Sequence, residues 1–164
     1  MRKQFLILMT AAALLGGCKK KGNDCPYTEQ NYAAPAAEIT AMQAWCATNE
    51  PTAQQHGSGV FYVVTSPGTG GTASVCSNVT VKYTGYLLNG TIFDQNTSGF
   101  TSILGQLILG WQKGIPLVKA GGSIRLYIPP SLGYGNQDVR NNSGVVVIPA
   151  NSYLKFTVDL VAVD

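Results

Sequence analysis

Apolar and polar residues alternate with a period of two over most of the chain after Gly57. Four runs carry apolar positions at Val60, Tyr62 and Val64; at Val79, Val81, Tyr83, Gly85 and Leu87; at Ile124, Leu126 and Ile128; and at Leu154, Phe156, Val158, Leu160 and Ala162. Because strand side chains point alternately to opposite faces, each run predicts a strand with one face in a core and one in water. Turn residues such as Asn89-Gly90 separate the runs. The pattern predicts an antiparallel sheet.

Two other stretches have helical features. Leu107 to Val118 contains two glycines and a proline, so it predicts only a short helix. Ala37 to Thr48 carries a narrow apolar stripe, follows Pro35 and precedes Asn49-Glu50-Pro51, which ends a helix. The expected class is therefore α+β, with an antiparallel sheet half covered by one short helix and an N-terminal helical extension.

The first eighteen residues have the pattern of an export signal. Arg2 and Lys3 precede Phe5 to Leu15, an apolar stretch of eleven residues, whereas a membrane-spanning helix needs about 20. Gly16-Gly17-Cys18 follows and resembles a bacterial lipobox, in which the cysteine is acylated and becomes the first mature residue. An ordinary secretory signal followed by a chance cysteine is the alternative.

On this interpretation the chain has four segments. They are a lipoprotein signal peptide at 1–17, a polar tether at 18–24, an N-terminal helical extension at 25–56 and a sheet domain at 57–164. Lipidation of Cys18 would anchor the protein in the bacterial cell envelope, facing the periplasm. Lysines follow Cys18. By resemblance to common lipoprotein sorting rules, in which aspartate at this place directs a protein to the inner membrane, the outer membrane is the expected location.

Composition narrows the function classes. Of the 164 residues only 12% are charged and 45% are hydrophobic, which excludes a coiled coil and a disordered chain. The formal charge is +3, and two positive charges lie in the segment expected to be removed. The folded part is near neutral, so we expect no nucleic-acid partner.

Export would expose the cysteines to an oxidising compartment. Cys25, Cys46 and Cys76 remain once the lipidated cysteine is set aside, which is an odd number. Cys46 lies on the apolar helical stripe and is expected to be buried, but the polar Gln43 on that stripe leaves other pairings open. Cys25 and Cys76 lie in loop-like surroundings and are the favoured disulfide. The isolated His56 indicates neither a metal site nor a cofactor.

Aromatic residues recur near strand ends and loops on the presumed inner side of the sheet. They are Tyr83, Phe93, Phe100, Trp111, Tyr134 and Phe156. Taken singly, each is more typical of a core than of a site. Their surroundings favour a site, because Asp94 follows Phe93 and glycines flank Tyr134 in a loop. The set predicts an aromatic pocket without indicating its ligand.

Four motifs in order resemble the FKBP-type peptidyl-prolyl cis-trans isomerases. They are Val79–Asp94 (VTVKYTGYLLNGTIFD), Leu107–Gly114 (LILGWQKG), Gly121–Gly135 (GGSIRLYIPPSLGYG) and Ile148–Leu160 (IPANSYLKFTVDL). The resemblance covers about Gly57 to Asp164 and leaves the N-terminal third outside. It implies a strongly twisted half-barrel sheet wrapped around the short helix.

The resemblance also implies the residues around a prolyl ring. Those with implied catalytic roles are Tyr83, Phe93, Asp94, Trp111, Tyr134 and Phe156, and those implied to bind substrate are Phe100, Leu107, Ile108 and Ile148. Trp111 would be the floor of the pocket. The Ile108 backbone N–H and the Tyr134 hydroxyl would hold substrate carbonyls. Asp94 would act by electrostatics and hydrogen bonding, with its carboxylate close to Tyr83 or to a substrate carbonyl.

Three departures from the family pattern stand out. The segment from Asp94 to Phe100 is read as a short loop without the arginine that many members place after the aspartate. The loop from Asn136 to Val145 is polar, so recognition of residues beside the proline is expected to differ. Ala150 replaces a proline, which is expected to soften the start of the last strand slightly.

The resemblance implies a lipid-anchored isomerase that accelerates X–Pro rotation in exported proteins by a non-covalent mechanism. Its expected partners are proline-containing exported polypeptides and the membrane, through the lipid, and the family also admits macrolide-type ligands. The alternative is the same fold used as a chaperone or scaffold with little or no isomerase activity. The N-terminal helix could be a dimerisation arm or a cap on the sheet, and its narrow stripe favours a cap and a monomer.

Overall fold

The computed structural model describes residues 25–164, so the expected signal peptide (1–17), the lipidated Cys18 and the rest of the tether (to 24) lie outside the described residues. Six antiparallel strands form one sheet in the order β1 (Gln54–Gln55), β2 (Phe61–Ser66), β5 (Gly122–Ile128), β8 (Leu154–Val163), β3 (Asn78–Leu87) and β4 (Ile92–Ile103). A small hairpin pairs β6 (Val139–Arg140) with β7 (Val146–Ile148). The helices are α1 (Ala36–Asn49) and α2 (Leu109–Gly114). The predicted α+β class is confirmed.

The inner face of the sheet packs against α2. In β5, Ile124, Leu126 and Ile128 are almost completely buried, and the apolar positions of β3 and β8 join the same core. The helix approaches closely because Gly110 has no side chain: a Cβ there would lie 2.5 Å from Ile128 Cγ2. Apolar burial at about 25 cal/mol per Å² holds this layer together. The period-two pattern therefore predicted the inner face of β3, β5 and β8, whereas it was wrong for Val64 near the end of β2, which was expected in the core and is 39% exposed.

The outer face departs from the prediction, which placed it in water. Helix α1 covers β2 and β5, where Met42 and Cys46 form a second buried cluster with Phe61 and Tyr127. Tyr127, which alternation assigned to the wet face, is fully buried. The physical reason is that a tyrosine ring is mostly apolar, so it can be buried wherever its hydroxyl finds a partner.

That partner is Glu50, which directly follows α1. The Tyr127 hydroxyl donates to Glu50 Oε2 at 2.5 Å, and Arg125 Nη2 donates to Oε1 at 2.8 Å. The bond from Tyr127 is the main cause that holds the pKa of Glu50 below its ordinary value, while burial raises the pKa of Tyr127. The extension is thus fastened to the sheet, which supports its interpretation as a cap.

Several predicted boundaries shift in the structure. The helix expected over 37–48 is one residue longer at each end. Strand β1 belongs to the predicted extension yet pairs with β2, so extension and domain share the sheet. The segment read as a loop from Asp94 to Phe100 lies within β4, where Asn96 Oδ1 accepts the N–H groups of Ser98 and Gly99 and supports a bulge. The predicted loop from Asn136 to Val145 contains β6 and the whole turn that connects it to β7.

None of the helices within residues 25–164 is long and apolar enough to cross a membrane. Residues 25–34, which we call the strap, have no regular secondary structure. A disulfide joins Cys25 to Cys76, the pair that their loop surroundings favoured, with 5.7 Å between the Cα atoms. Cys46 is free and 4% exposed, and burial raises the pKa of its thiol to about 11. A thiol with that pKa is a packing residue rather than a nucleophile.

Candidate active site

Three aromatic rings from three elements meet at the inner face of the sheet. Tyr83 of β3 lies 5.1 Å from Trp111 of α2, and Trp111 lies 5.2 Å from Phe156 of β8, measured between ring centroids. Both pairs are nearly perpendicular, which is a favourable arrangement for aromatic rings. Trp111 and Phe156 are only 4% and 3% exposed, so these rings form a rigid base.

A cavity of about 330 Å³ opens beside these rings. It is lined by Tyr83, Asp94, Phe100, Gln106, Leu107, Ile108, Trp111, Tyr134 and Phe156. All except Gln106 belong to the set implied by the sequence. The volume is in the range of small-molecule pockets, about 300–1,000 Å³. The fold thus brings together side chains that are up to 73 positions apart in the chain.

Two residues of the implied set do not line this cavity. Phe93 packs behind Phe156, with ring centroids 5.5 Å apart, and the space for both rings exists because position 85 is glycine. A Cβ on Gly85 would lie 2.6 Å from Phe93 Cζ and 2.8 Å from Phe156 Cε1. Ile148 of β7 is buried in the main core. Phe93 therefore supports a cavity wall, and Ile148 supports the core beneath the hairpin.

Asp94 supplies the negative charge of the cavity. The Tyr83 hydroxyl donates to Asp94 Oδ2 at 2.7 Å across β3 and β4, one of the two arrangements expected from the sequence. Burial first, and then the Asp94 carboxylate, raise the pKa of Tyr83 above its ordinary value. Within residues 25–164 Asp94 forms no ion pair. The carboxylate is thus oriented by a neutral hydroxyl rather than by a guanidinium group.

Tyr134 lies on the loop after β5 and is 40% exposed. A 3-10 turn at Pro130–Leu132 precedes it, and Glu38 of α1 accepts bonds from the Ser131 N–H at 3.0 Å and hydroxyl at 2.8 Å. Desolvation, and secondarily the Asp94 charge, raise the pKa of Tyr134. Its hydroxyl is therefore a protonated donor at neutral pH, and the extension helps to place its loop.

Two N–H donors at the cavity have no acceptor within residues 25–164. One is the backbone N–H of Ile108, the residue before α2, and the other is the buried indole N–H of Trp111. A buried donor without a partner costs about 1–3 kcal/mol. The Ile108 N–H is free to bind a carbonyl oxygen that enters the cavity, whereas the indole N–H is enclosed within the aromatic base.

Gln106 is the lining residue that the sequence did not reveal. It belongs to a 3-10 turn, Leu104–Gln106, between β4 and α2, and its Nε2 donates to the Tyr27 hydroxyl at 2.8 Å. The two partners are 79 positions apart. No local pattern signals such a contact, because Tyr27 lies in a segment without periodicity.

The substitution at Ala150 has a local consequence. Its backbone N–H, which a proline would lack, donates to Asp138 Oδ1 at 2.9 Å, and Asp138 Oδ2 pairs with Arg140 at 3.0 Å. This bond links the segment between β7 and β8 to the β6–β7 hairpin, whereas the sequence suggested only a slight softening at the start of the last strand.

His56 bonds Ser58 through Nδ1 at 2.9 Å, and no metal-ligand cluster occurs within residues 25–164.

Comparison with known proteins agrees with this geometry. Residues 70–161 match the family model described as FKBP-type peptidyl-prolyl cis-trans isomerase. The chain is 40% identical over 107 residues to the FKBP-type peptidyl-prolyl cis-trans isomerase FkpA of Buchnera aphidicola, covering 63% of this chain and 40% of that protein. The chain thus spans less than half the length of this relative.

Solved structures that resemble this chain include peptidyl-prolyl cis-trans isomerases. The crystal structure of FkpA from Escherichia coli has a TM-score of 0.66 at 32% identity, covering 79% of this chain and 58% of that one. A peptidyl-prolyl cis-trans isomerase from Pseudomonas syringae has a TM-score of 0.67 at 29% identity, covering 80% of this chain and 97% of that one.

Proposed function

The chain belongs to the FKBP-type peptidyl-prolyl cis-trans isomerase family, and we propose that it accelerates rotation about X–Pro bonds in the cavity beside Trp111. The observation that carries this proposal is the convergence of a buried aromatic base, one oriented carboxylate and an unpaired backbone N–H on a single cavity. Rotation about an X–Pro bond requires neither a nucleophile nor a proton transfer.

The reaction needs a barrier lowered rather than a bond broken. Rotation of an X–Pro amide loses C–N resonance against a barrier of about 18–20 kcal/mol. In the twisted state the carbonyl no longer shares the nitrogen lone pair and is less polar, so an apolar cavity disfavours the planar amide more than the twisted one. The rings of Tyr83, Trp111 and Phe156 supply that environment for the proline.

Polar groups at the cavity hold the flanking chain. The unpaired Ile108 N–H and the protonated Tyr134 hydroxyl are donors for substrate carbonyls, and the fixed frame makes the rotation nearly unimolecular. Asp94, oriented by Tyr83, contributes a negative field near the amide without acting as a base. Phe93 contributes by supporting Phe156 from behind.

The proposed substrates are proline-containing exported polypeptides, and macrolide-type ligands are proposed to occupy the same cavity. Uncatalysed X–Pro isomerisation takes tens to hundreds of seconds, which is slow enough to limit folding. The proposed location is the periplasm-facing side of a bacterial envelope membrane, the outer one rather than the inner, through a lipid on Cys18. The fastening of α1 to its own sheet supports a monomer.

A protease-coupled assay with X–Pro peptides tests the activity. Folded wild-type protein is expected to accelerate cis-to-trans conversion in proportion to its concentration, and a saturating macrolide-type ligand is expected to abolish the effect. Protein that binds proline peptides but gives no acceleration would instead be a scaffold of the same fold.

The anchor has its own test. Cys18→Ala is expected to abolish acylation and move the protein from the detergent phase to the aqueous phase on phase separation. Cys46→Ala is a matched control, because that cysteine is buried in the fold and is expected to leave partitioning unchanged. Partitioning of Cys18→Ala into detergent as in wild type would contradict the lipobox interpretation.

A further inference from the structure

One rim of the cavity is a short connecting segment. It consists of the 3-10 turn Leu104–Gln106 followed by Leu107 and Ile108, and three of its residues line the cavity. A connection of this kind has few hydrogen bonds of its own, so its shape depends on neighbouring segments.

Two sets of contacts support the rim from within the domain. The backbone N–H groups of Leu104 and Gly105 donate to the carbonyl oxygens of Ser77 at 3.0 Å and Val75 at 2.8 Å, on either side of Cys76. From α2, Gln112 Nε2 donates to the Leu107 carbonyl at 2.7 Å. These bonds fix the backbone of the rim but not the Gln106 side chain.

The strap supplies the third contact. The Tyr27 ring lies directly on Gly105, where an added Cβ would be 2.5 Å from Tyr27 Cγ, and its hydroxyl accepts the bond from Gln106 Nε2 at 2.8 Å. Only glycine at position 105 permits this contact. The Gln106 side chain therefore has a defined direction although the residue is exposed.

The strap itself is anchored at several points. The disulfide to Cys76 holds its start, the ion pair of Glu29 with the buried Lys113 Nζ at 3.1 Å holds its middle, and Ala34 N–H donates to the Ser58 carbonyl at its end. All of these residues of the strap precede the part of the chain that matches the family model. The arrangement is thus an addition to the domain.

We propose that Gln106 is a specificity-determining residue of the cavity and that Tyr27 is a positioning residue that acts through it. Because Nε2 is bonded to the Tyr27 hydroxyl and no group within residues 25–164 donates to Oε1, the Gln106 amide oxygen accepts a backbone N–H of the substrate beside the proline. The inference deepens the proposed isomerase function and rests on it.

The test is a double-mutant cycle of Tyr27→Phe and Gln106→Ala, with Kd measured from the change in intrinsic tryptophan fluorescence and with kcat and KM measured in the peptide assay. The probes are one X–Pro peptide and two analogues, each N-methylated at one backbone N–H beside the proline. Each single variant is expected to raise Kd and KM about fivefold, while kcat changes little. A fivefold change corresponds to the loss of one neutral hydrogen bond. The double variant is expected to be no worse than Gln106→Ala alone. One N-methyl analogue is expected to bind wild type about fivefold more weakly than the unmethylated peptide does. Each single variant is expected to bind that analogue and the unmethylated peptide with the same Kd.

The control is Tyr32→Phe, an exposed tyrosine of the same strap away from the rim. Three outcomes would each overturn the inference: Tyr27→Phe has no more effect than Tyr32→Phe, the effects of Tyr27→Phe and Gln106→Ala add in the double variant, or wild type binds both N-methyl analogues as tightly as the unmethylated peptide. Circular dichroism checks that every variant is folded. Wild type that binds the peptides and responds to N-methylation but gives no acceleration would refute the isomerase function alone. Wild type that binds no proline peptide would refute both.

Discussion

On the outer face of the sheet the polar groups beneath α1 bond to one another, whereas on the inner face the N–H of Ile108, just before α2, has no partner and lies beside an open cavity. On the outer side Glu50 accepts from Tyr127 and Arg125, and only Arg125 Nε is a buried side-chain donor without an acceptor within residues 25–164. On the inner side neither the Ile108 N–H nor the Trp111 indole N–H has an acceptor within those residues. Polar groups that bond to one another in a closed interface stabilise the fold, while an unpaired donor beside a cavity can bind a ligand that enters it. Mutations on the two faces should therefore separate stability from activity.

Phe93→Ala is expected to have the largest effect, because Phe93 contributes both to the stability of the fold and to the shape of the cavity. Removing its ring leaves a void behind Phe156, which should cost about 3 kcal/mol of unfolding free energy and lower kcat/KM of the folded fraction. Denaturant unfolding and the peptide assay measure the two effects. The neighbouring Ile92→Ala, at an exposed position, should change both little, and an equal loss there would refute the assignment.

Met42→Ala should affect stability alone. Met42 is fully buried between α1 and the sheet, and truncation should cost about 2–3 kcal/mol while kcat/KM per folded molecule stays at the wild-type value. The exposed Gln43→Ala is the matched control. A clear fall in kcat/KM of folded Met42→Ala would mean that the packing beneath α1, and not only the Glu38 bonds to Ser131, acts on the cavity.

Tyr127→Phe should cost about 1.5–3 kcal/mol at neutral pH, because the hydroxyl donates to a charged carboxylate. The pKa of Glu50 is lowered in the fold, so its contribution is present above its ordinary pKa of 4.5 and is lost as pH falls below that value. Wild type should therefore lose stability more steeply below pH 4.5 than Tyr127→Phe. Tyr62→Phe, whose hydroxyl bonds neutral Gln54, should leave the acid slope unchanged.

Asp94→Ala should give the smallest change in stability, within about 0.5 kcal/mol, because Asp94 is exposed and fills no core space. It should nevertheless lower kcat/KM about tenfold by removing the charge-assisted bond to Tyr83 and the field at the amide. Asp159→Ala, an exposed carboxylate on the outer face, is the control. Full activity of folded Asp94→Ala would show that the carboxylate has no role.

The inner face was predictable because the alternation of apolar and polar residues that indicates it lies within each single strand. Alternation in β3, β5 and β8 identified the buried positions, and the helix α1 was predicted to within one residue at each end. The cavity residues followed from family motifs that are local in sequence, so the resemblance located eight of the nine that line it.

What the sequence could not reveal depends on contacts between distant segments. Tyr127 occupies a polar position of its strand, and only the path of α1 makes that position buried. The β4 segment from Asp94 to Gly99 has no apolar alternation because it is an exposed edge, so its pattern is that of a loop. Tyr27 and Gln106 meet through a disulfide-anchored segment that has no periodicity.

The two edges of the sheet carry a consequence for how the molecule meets other chains. One edge is β1, only two residues long, and the other is β4, which is polar and interrupted by the bulge at Asn96. Short or bulged polar edges offer a poor template for an additional strand, so they oppose aggregation through strand pairing. A molecule whose proposed substrates are unfolded polypeptides thus meets them in its cavity, while its sheet gives them little opportunity to co-aggregate.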